Sequence, residues 1–217
     1  MRVLEIGIRR RHLAALTLSP LPPKIDCAEY ENDRLLIDRE ILDRCKIKKG
    51  SALSFEEVKE LVFVSESYRA KQRAIWYLSK SDLSEKGLYN KLRRSFSDKA
   101  SAFATEQMIK RGYVDDRRYA ENLARILSEK NISANAAVGK MLEKGLELTL
   151  AKEVLENYKS SDLNKALNLL STKYKNKLGD DEAVRKTVAA LQRRGFSFEV
   201  IRSALEKISN CKNEENF

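Results

Sequence analysis

The sequence contains few of the residues and segments that build disulfides, metal sites and membrane anchors. Its three cysteines, Cys27, Cys45 and Cys211, do not have the spacing of metal ligands. Their odd number, in a chain that opens without a secretory signal, predicts reduced thiols and a cytoplasmic location. No apolar run approaches the roughly 20 residues that cross a membrane, so no membrane partner is expected. The 217 residues are enough to bury a core without disulfides or metals.

Motifs of common enzyme classes are also missing. The chain has no G-x-x-x-x-G-K-[ST] loop, no G-x-G-x-x-G after a strand, and no His, Cys and carboxylate set with catalytic spacing. Asp115 and Asp116 directly precede a predicted helix, where an N-cap is far commoner than a metal ligand. The single histidine, His12, lies in a predicted turn without a nucleophile or ligand partner. The sequence predicts a non-enzyme without catalytic residues, cofactor or metal; a metal-dependent nuclease is the least favoured hypothesis.

The beginning of the chain has the period-two pattern of β-strands. Apolar residues alternate on both sides of a polar turn, at Leu4, Ile6, Ile8 and again at Ala14, Leu16 and Leu18. This pattern predicts a β-hairpin that ends at the prolines of Ser19–Pro23, because proline cannot donate to a strand ladder. Residues 34–37 are a candidate third strand, followed from Asp38 by a short helix.

A second helix is predicted from about Phe55. Ser54 and Glu57 have the spacing of a capping box, in which each side chain accepts from the backbone amide of the other residue. We therefore interpret residues 1–65 as a small α+β module.

Downstream of this module, a pattern recurs every fifty residues. Each copy has an aliphatic residue, then a small residue, then an apolar residue: Leu88, Ser95 and Phe96; Val138, Gly145 and Leu146; Val188, Gly195 and Phe196. Helical spacing of apolar residues predicts three amphipathic helices in each copy. The predicted fold is mainly α, with three tandem three-helix repeats (66–114, 115–161 and 162–210) that form an elongated curved array, preceded by the α+β module and followed by a tail (211–217).

The apolar stripes predict which side chains each helix buries. They include Ala74, Ile75, Leu78, Leu88, Leu92, Ala104, Thr105, Met108, Ile109, Tyr119, Leu123, Ile126, Leu127, Val138, Met141, Leu142, Val188 and Leu191. Trp76, Tyr77, Phe96 and Phe103 lie among basic residues, as base-stacking aromatics do, but helical spacing favours core packing for Trp76, Phe96 and Phe103.

The glycines of the repeat are typical of helix ends. Gly145 and Gly195 fit the left-handed position after a helix, with the next apolar residue folding back on it. Lys144, Arg193 and Arg194 lie in the last turn, where exposed carbonyls favour cations. Helix capping alone therefore accounts for every residue of the motif. This explanation leaves open whether the basic residues also bind a partner.

The net charge of +10 is unevenly distributed. Residues 1–67 and 112–161 are each neutral, whereas residues 68–111 hold 11 Lys and Arg against 4 Asp and Glu, a net charge of +7. Residues 162–217 contribute the remaining +3. Such segments attract nucleic acids or acidic protein surfaces; the alternative is an ordinary lysine-rich helical surface.

Several of these stretches resemble the RecX family, bacterial regulators of the RecA recombinase. The resemblance covers residues 68–208 through "LSEKGLYNKLRRSF" (83–96), "RGYVDDRRYAENLARILSEK" (111–130), "MLEKGL" (141–146) and "LQRRGFSFEVIRSAL" (191–205), of which "GYVDDRRYA" is the most specific. Two features depart from the family pattern: Ser95 stands where glycine is common, and "SEKNISANAAVGK" replaces a glycine-proline approach to the middle helix of the second repeat.

The resemblance implies a protein that binds the RecA filament along its groove, together with single- and double-stranded DNA, in DNA recombination and repair. We expect a monomer that limits filament extension, ATP hydrolysis and strand exchange. Arg117 and Arg118 begin a helix, where cations are disfavoured, so they need a partner, either bound or local. The candidate RecA- and DNA-binding residues are Lys91, Arg93, Arg94, Arg111, Arg117, Arg118, Arg125, Lys140, Lys144, Lys186, Arg193 and Arg194. The alternative function is a sequence-tolerant DNA-binding protein that does not act on RecA.

Overall fold

The computed structural model describes residues 1–9, 12–25, 28–156, 162–177 and 180–214, with side chains as far as residue 210. The chain forms two compact units, Met1–Asp115 and Asp116–Phe217. Cys45 is exposed and its thiol is free, whereas Cys27 and the side chain of Cys211 lie outside the described part.

The first unit opens with an antiparallel sheet of four strands in the order β1-β2-β4-β3. These are β1 (Arg2–Ile8), β2 (Leu13–Ser19), β3 (Tyr30–Glu31) and β4 (Arg34–Asp38). The predicted hairpin and third strand are confirmed: Ile6 pairs with Leu16 across β1 and β2, and Leu16 pairs with Leu35 across β2 and β4. The two-residue β3 is too short to show an alternating pattern, so sequence periodicity does not predict it.

Two predicted helix starts follow the sheet. Asp38 caps α1 (Arg39–Arg44) by accepting from the Glu40 amide at 3.0 Å. Ser54 and Glu57 form both hydrogen bonds of the predicted capping box, and α2 (Phe55–Leu78) begins at the predicted residue.

Helix α2 runs without interruption through residue 65, so the N-terminal module and the first repeat share it. Two neighbouring residues in the middle of α2 form hydrogen bonds with different parts of the first unit. Ser65 Oγ accepts from the amide of Asp38 at 2.8 Å, at the start of α1. Buried Glu66 accepts from the amide and hydroxyl of Ser97 at 2.6 and 2.7 Å. Because successive helical side chains point about 100° apart, adjacent residues can hold different neighbours.

The rest of the first unit is α3 (Glu85–Leu92) and α4 (Asp98–Lys110), packed on the second half of α2. Ser97 caps α4 by accepting from the Ala100 amide, and its own amide and hydroxyl bind Glu66. The buried core of these three helices is Ala70, Ala74, Leu88, Leu92, Ala100, Ala104, Met108 and Val114. Small alanines dominate it, which lets the helix backbones approach closely.

The second unit contains two further helix groups. The first is α5 (Asp116–Ser128), α6 (Ala134–Glu143) and α7 (Leu148–Glu156); the second is α8 (Asp162–Ser171), α9 (Asp181–Gln192) and α10 (Phe198–Glu214). Each group has its own buried apolar cluster, which includes Ala124 and Met141 in the first group and Leu170 and Leu191 in the second. The mainly α class with a small N-terminal sheet is confirmed, while the division of the chain at 65, 114 and 161 stays a prediction.

Several side chains predicted to be buried are instead exposed. Trp76 is 51% exposed, and so, to lesser degrees, are Ile75, Ile109, Ile126 and Leu142, which corrects the apolar-stripe prediction at these positions. The buried face of α2 runs through Ala70 and Ala74, and a step of about 100° per residue puts Trp76 on nearly the opposite side of the helix from Ala74. Phe96 and Phe103 are half-buried, and Phe96 packs on the core.

Candidate nucleic-acid interface

The glycines of the repeated motif adopt the predicted left-handed conformation. Gly145 has φ 90° and Gly195 has φ 85°. At the end of α9, the amide of Gly195 donates to the carbonyl of Gln192 at 2.8 Å and that of Phe196 to Leu191 at 3.3 Å. The same pair of bonds closes α6, so the predicted caps of both helices are confirmed.

The first repeat ends its middle helix differently. The amides of Ser95 and Phe96 both donate to the carbonyl of Leu92 at 3.0 Å, and Ser95 is not among the described non-glycine residues with positive φ. A left-handed conformation costs an L-residue roughly 1–2 kcal/mol, so serine favours this tighter ending. The backbone conformation at the basic residues after α3 therefore differs from the conformation at the basic residues after α9.

The end of α9 lies directly against the start of α6. The amide of Ser133 donates to the carbonyl of Arg194 at 3.1 Å, and the Ala134 amide donates to Asp162 at 3.0 Å. A Cβ atom on Gly195 would lie 2.6 Å from Ser133 Oγ and 2.7 Å from Ala136 Cβ. Glycine is therefore needed at residue 195 both for its backbone angle and for this close approach.

Arg194 takes part in this junction. Its side chain is half-buried, and its guanidinium donates to the carbonyl of Asn131 at 2.9 Å. A guanidinium has five N–H donors, so this bond leaves others available. Arg194 thus has a structural role between the two helix groups of the second unit, in addition to its predicted binding role.

A cleft at the junction brings three predicted basic residues together. It measures about 430 Å³, and its described lining is Ile132, Ala136, Lys140, Tyr174, Ala190, Arg193 and Arg194. No acidic residue is among them. Lys140 and Arg193 are exposed, and neither forms an ion pair with another described residue. Converging cations without a carboxylate in the lining suit a phosphate or another anion.

Other predicted residues already have acidic partners. Arg117 lies 2.7 Å from Glu153 and 3.8 Å from Glu121, a local partner anticipated from the sequence. Lys186 lies 2.6 Å from Glu182, and Arg93 bonds Asp98. These pairs are exposed, and exposed pairs contribute only about 0–1 kcal/mol to stability, so a polyanion could compete for the cations.

The remaining predicted residues lie on helices or directly after their C-terminal ends. Lys91 is half-buried, with Nζ 5.1 Å from the centroid of the Tyr77 ring. The others are exposed: Arg94, Arg111, Arg118, Arg125 and Lys144.

Sequence reasoning missed Arg73, whose guanidinium lies 5.7 Å from the centroid of the exposed Trp76 ring. The signal was present, because residues three apart are neighbours on a helix surface. Arg73 and Trp76 therefore join the candidate interface of the first unit.

The described residues contain no group of three or more His, Cys, Asp or Glu side chains placed to hold a metal ion. In the same part of the chain, no helix has both the length and the apolar character needed to cross a membrane.

Comparisons with known proteins identify relatives. The family model for the third three-helix domain of RecX matches residues 160–205. The chain is 33% identical over 138 residues to the regulatory protein RecX of Chlorobium phaeobacteroides (strain BS1), covering 62% of this chain and 90% of that protein. It is 26% identical over 208 residues to the regulatory protein RecX of Clostridium acetobutylicum, covering 88% of this chain and 97% of that protein.

Solved structures share the fold. A crystal structure of regulatory protein RecX matches with a TM-score of 0.59 at 16% identity, covering 93% of this chain and 98% of that chain. The crystal structure of RecX from Lactobacillus salivarius matches with a TM-score of 0.55 at 19% identity, covering 67% of this chain and 98% of that chain.

Proposed function

This chain belongs to the RecX family, and from that premise we propose that it regulates RecA by binding the RecA nucleoprotein filament along its groove. The bound protein limits filament extension, ATP hydrolysis and strand exchange. It acts as a monomer in the cytoplasm, needs no cofactor and catalyses no reaction. Its partners are the RecA filament and single- and double-stranded DNA.

The observation that carries the DNA-binding part of this proposal is the cleft lined by Lys140, Arg193 and Arg194. Three cations from two helix groups converge there without an acidic lining residue. Cations that neutralise phosphates release condensed counterions, which supplies sequence-independent affinity. This suits a protein that must bind filaments on any DNA sequence.

The charge distribution supports many weak contacts rather than one deep pocket. Residues 68–111 carry a net charge of +7, and residues 162–217 carry +3. Once one contact has formed, the other binding residues are held close to the same filament, which raises their effective concentration there. A set of modest phosphate and protein contacts therefore gives a long-lived complex. In this proposal, the repeats 66–114, 115–161 and 162–210 each contribute basic residues to the interface.

RecA-catalysed ATP hydrolysis on single-stranded DNA tests the proposal. Wild type at substoichiometric amounts should inhibit hydrolysis, and the double variant Lys140→Ala/Arg193→Ala should inhibit less. Arg194 is left intact because its bond to Asn131 joins the helix groups. Lys152→Ala/Lys207→Ala is the matched control, since it also removes two exposed positive charges from the second unit, at residues outside the candidate binding set.

Salt titration of oligonucleotide binding separates the DNA contact from the RecA contact. Each lost phosphate contact should reduce the slope of log K against log salt by about 0.7 on single strands. Unchanged hydrolysis, with salt-sensitive DNA binding intact, would instead support the alternative of a DNA-binding protein that does not act on RecA. An unchanged salt slope in the double variant would contradict the role of the cleft.

A further inference from the structure

Trp76 is an exposed aromatic side chain among cations. It is 51% exposed near the end of α2, and the neighbouring Ile75 is 42% exposed. The Arg73 guanidinium lies 5.7 Å from its ring centroid, and the Tyr77 ring meets it edge-on at 5.3 Å. Lys91 lies 5.1 Å from the Tyr77 ring. Two adjacent aromatic rings thus each have a cation beside them.

A cavity of about 700 Å³ opens beside Trp76 within the first unit. Helix α2 lines it with one face, from Tyr68 through Gln72 and Arg73 to Trp76, and Phe96 lies on its wall. The remaining lining residues come from the N-terminal module: His12, Asp38, Arg39, Glu40 and Asp43. Arg69, at the Tyr68 end, is paired with Glu29 at 2.7 Å.

Two of the three acidic lining residues, Asp38 and Glu40, lie toward the Tyr68 end of this cavity. Glu40 accepts from the Tyr68 hydroxyl and is paired with Arg44, and the side chain of Asp38 is only 3% exposed and caps α1. Trp76 is eight residues further along the helix, about 12 Å at 1.5 Å per residue. Near Trp76, Arg73 has no ion pair with another described residue, so its positive charge is available to a ligand.

We propose that Trp76 stacks against an unpaired base of single-stranded DNA, while Arg73 and Lys91 contact the adjoining phosphates. This deepens the proposed function and rests on its DNA-binding part. An exposed aromatic ring beside cations is typical of a site that binds single-stranded DNA of any sequence. Every base has a π-face that can stack on the ring, and the phosphates of the DNA backbone need only cations. The net charge of +7 in residues 68–111 favours a polyanion over an apolar protein segment as the occupant.

Trp76 reports on its own environment, because it is the only tryptophan in the chain. Intrinsic fluorescence is followed while the full chain is titrated with a thymidine oligonucleotide, and separately with an abasic oligomer of equal length. The abasic strand retains the phosphate charge but has no bases. Stacking predicts quenching by the thymidine strand and little change with the abasic strand.

Variants test the same contact through the anisotropy of a labelled oligonucleotide. Trp76→Ala should bind roughly 5- to 150-fold more weakly, the range measured for loss of one base–aromatic stack. Trp76→Phe keeps an aromatic face and should stay within about threefold of wild type. Ile126→Ala is the matched control: it lies fifty residues later at the equivalent repeat position, is 44% exposed, and should bind like wild type.

The outcomes distinguish this inference from the proposed function. Unchanged Trp76 fluorescence at saturating labelled DNA, or wild-type affinity in Trp76→Ala, overturns the stacking site and leaves DNA binding intact. No binding of any oligonucleotide overturns the DNA-binding part of the proposed function as well. Quenching by RecA without DNA, but not by the thymidine strand, assigns Trp76 to a protein interface and also overturns the inference.

Discussion

Replacing Gly195 by alanine perturbs the junction between α6 and α9 at a single atom. The new Cβ would lie 2.6 Å from Ser133 Oγ and 2.7 Å from Ala136 Cβ, closer than non-bonded atoms approach without displacement. The alanine must also hold φ near 85°. The substitution therefore adds backbone strain and a steric clash, and the two can be measured separately.

Gly112→Ala supplies the control for strain alone. Gly112 has φ 71°, but a Cβ there meets nothing within 4 Å. A left-handed alanine costs roughly 1–2 kcal/mol, which is the loss expected for Gly112→Ala. Overpacking adds typically 1–3 kcal/mol, so we expect Gly195→Ala to lose about 2–5 kcal/mol in total.

Urea unfolding followed by far-ultraviolet circular dichroism measures these free energies, and amide hydrogen exchange locates the damage. The Ser133 amide, which donates to Arg194 across the junction, should lose protection in Gly195→Ala and keep it in Gly112→Ala. Adding Ala136→Gly should recover part of the loss by removing one of the two clashing atoms. Equal losses in the two glycine variants, with the Ser133 amide fully protected, would refute the close packing of the junction.

Two further predictions concern the first unit. Glu66→Ala should lower the free energy of unfolding by about 1–3 kcal/mol, because the Ser97 amide and hydroxyl lose their acceptor. Urea unfolding should show a smaller loss for Glu66→Gln, which keeps a carbonyl oxygen. Wild-type stability in Glu66→Ala would contradict the role of this contact. The hydrogen bond from Tyr68, with the charge of nearby Arg44, holds the pKa of Glu40 below its ordinary 4.5. The stabilisation of the folded chain by these contacts is therefore present above about pH 4.5 and is lost as pH falls through the lowered pKa. Tyr68→Phe should therefore reduce the dependence of stability on pH below about 4.5, and an NMR titration that leaves the Glu40 pKa unchanged in this variant would refute the explanation.

Local features of the fold could be predicted because their causes act within a few residues. The hairpin follows from alternating side chains, and the start of α2 follows from the reciprocal bonds of Ser54 and Glu57. The left-handed ends at Gly145 and Gly195 follow from the absence of a Cβ. The resemblance to RecX was likewise carried by short stretches in a fixed order.

Burial was harder to predict at the edges of each apolar stripe. Ala74 is fully buried, while Ile75 and Trp76 beside it are exposed, although all three lie in an apolar stretch. Hydrophobicity identifies a helix with a buried face, but the neighbouring helices decide how wide that face is. In the second half of α2, the small side chains of Ala70 and Ala74 are buried against the neighbouring helices, whereas the largest side chain, Trp76, is half exposed.

The sequence by itself determined the class of the fold, the recurring helix ends and the uneven charge, since these depend on residue type and local spacing. Only the tertiary structure decided which basic residues meet. Lys140 and Arg193 lie far apart along the chain and share a cleft because the end of α9 packs against the start of α6. The tertiary structure likewise gave Arg194 a bond to Asn131 and left the Trp76 side chain exposed. These outcomes depend on contacts between residues distant in sequence, which local periodicity does not encode.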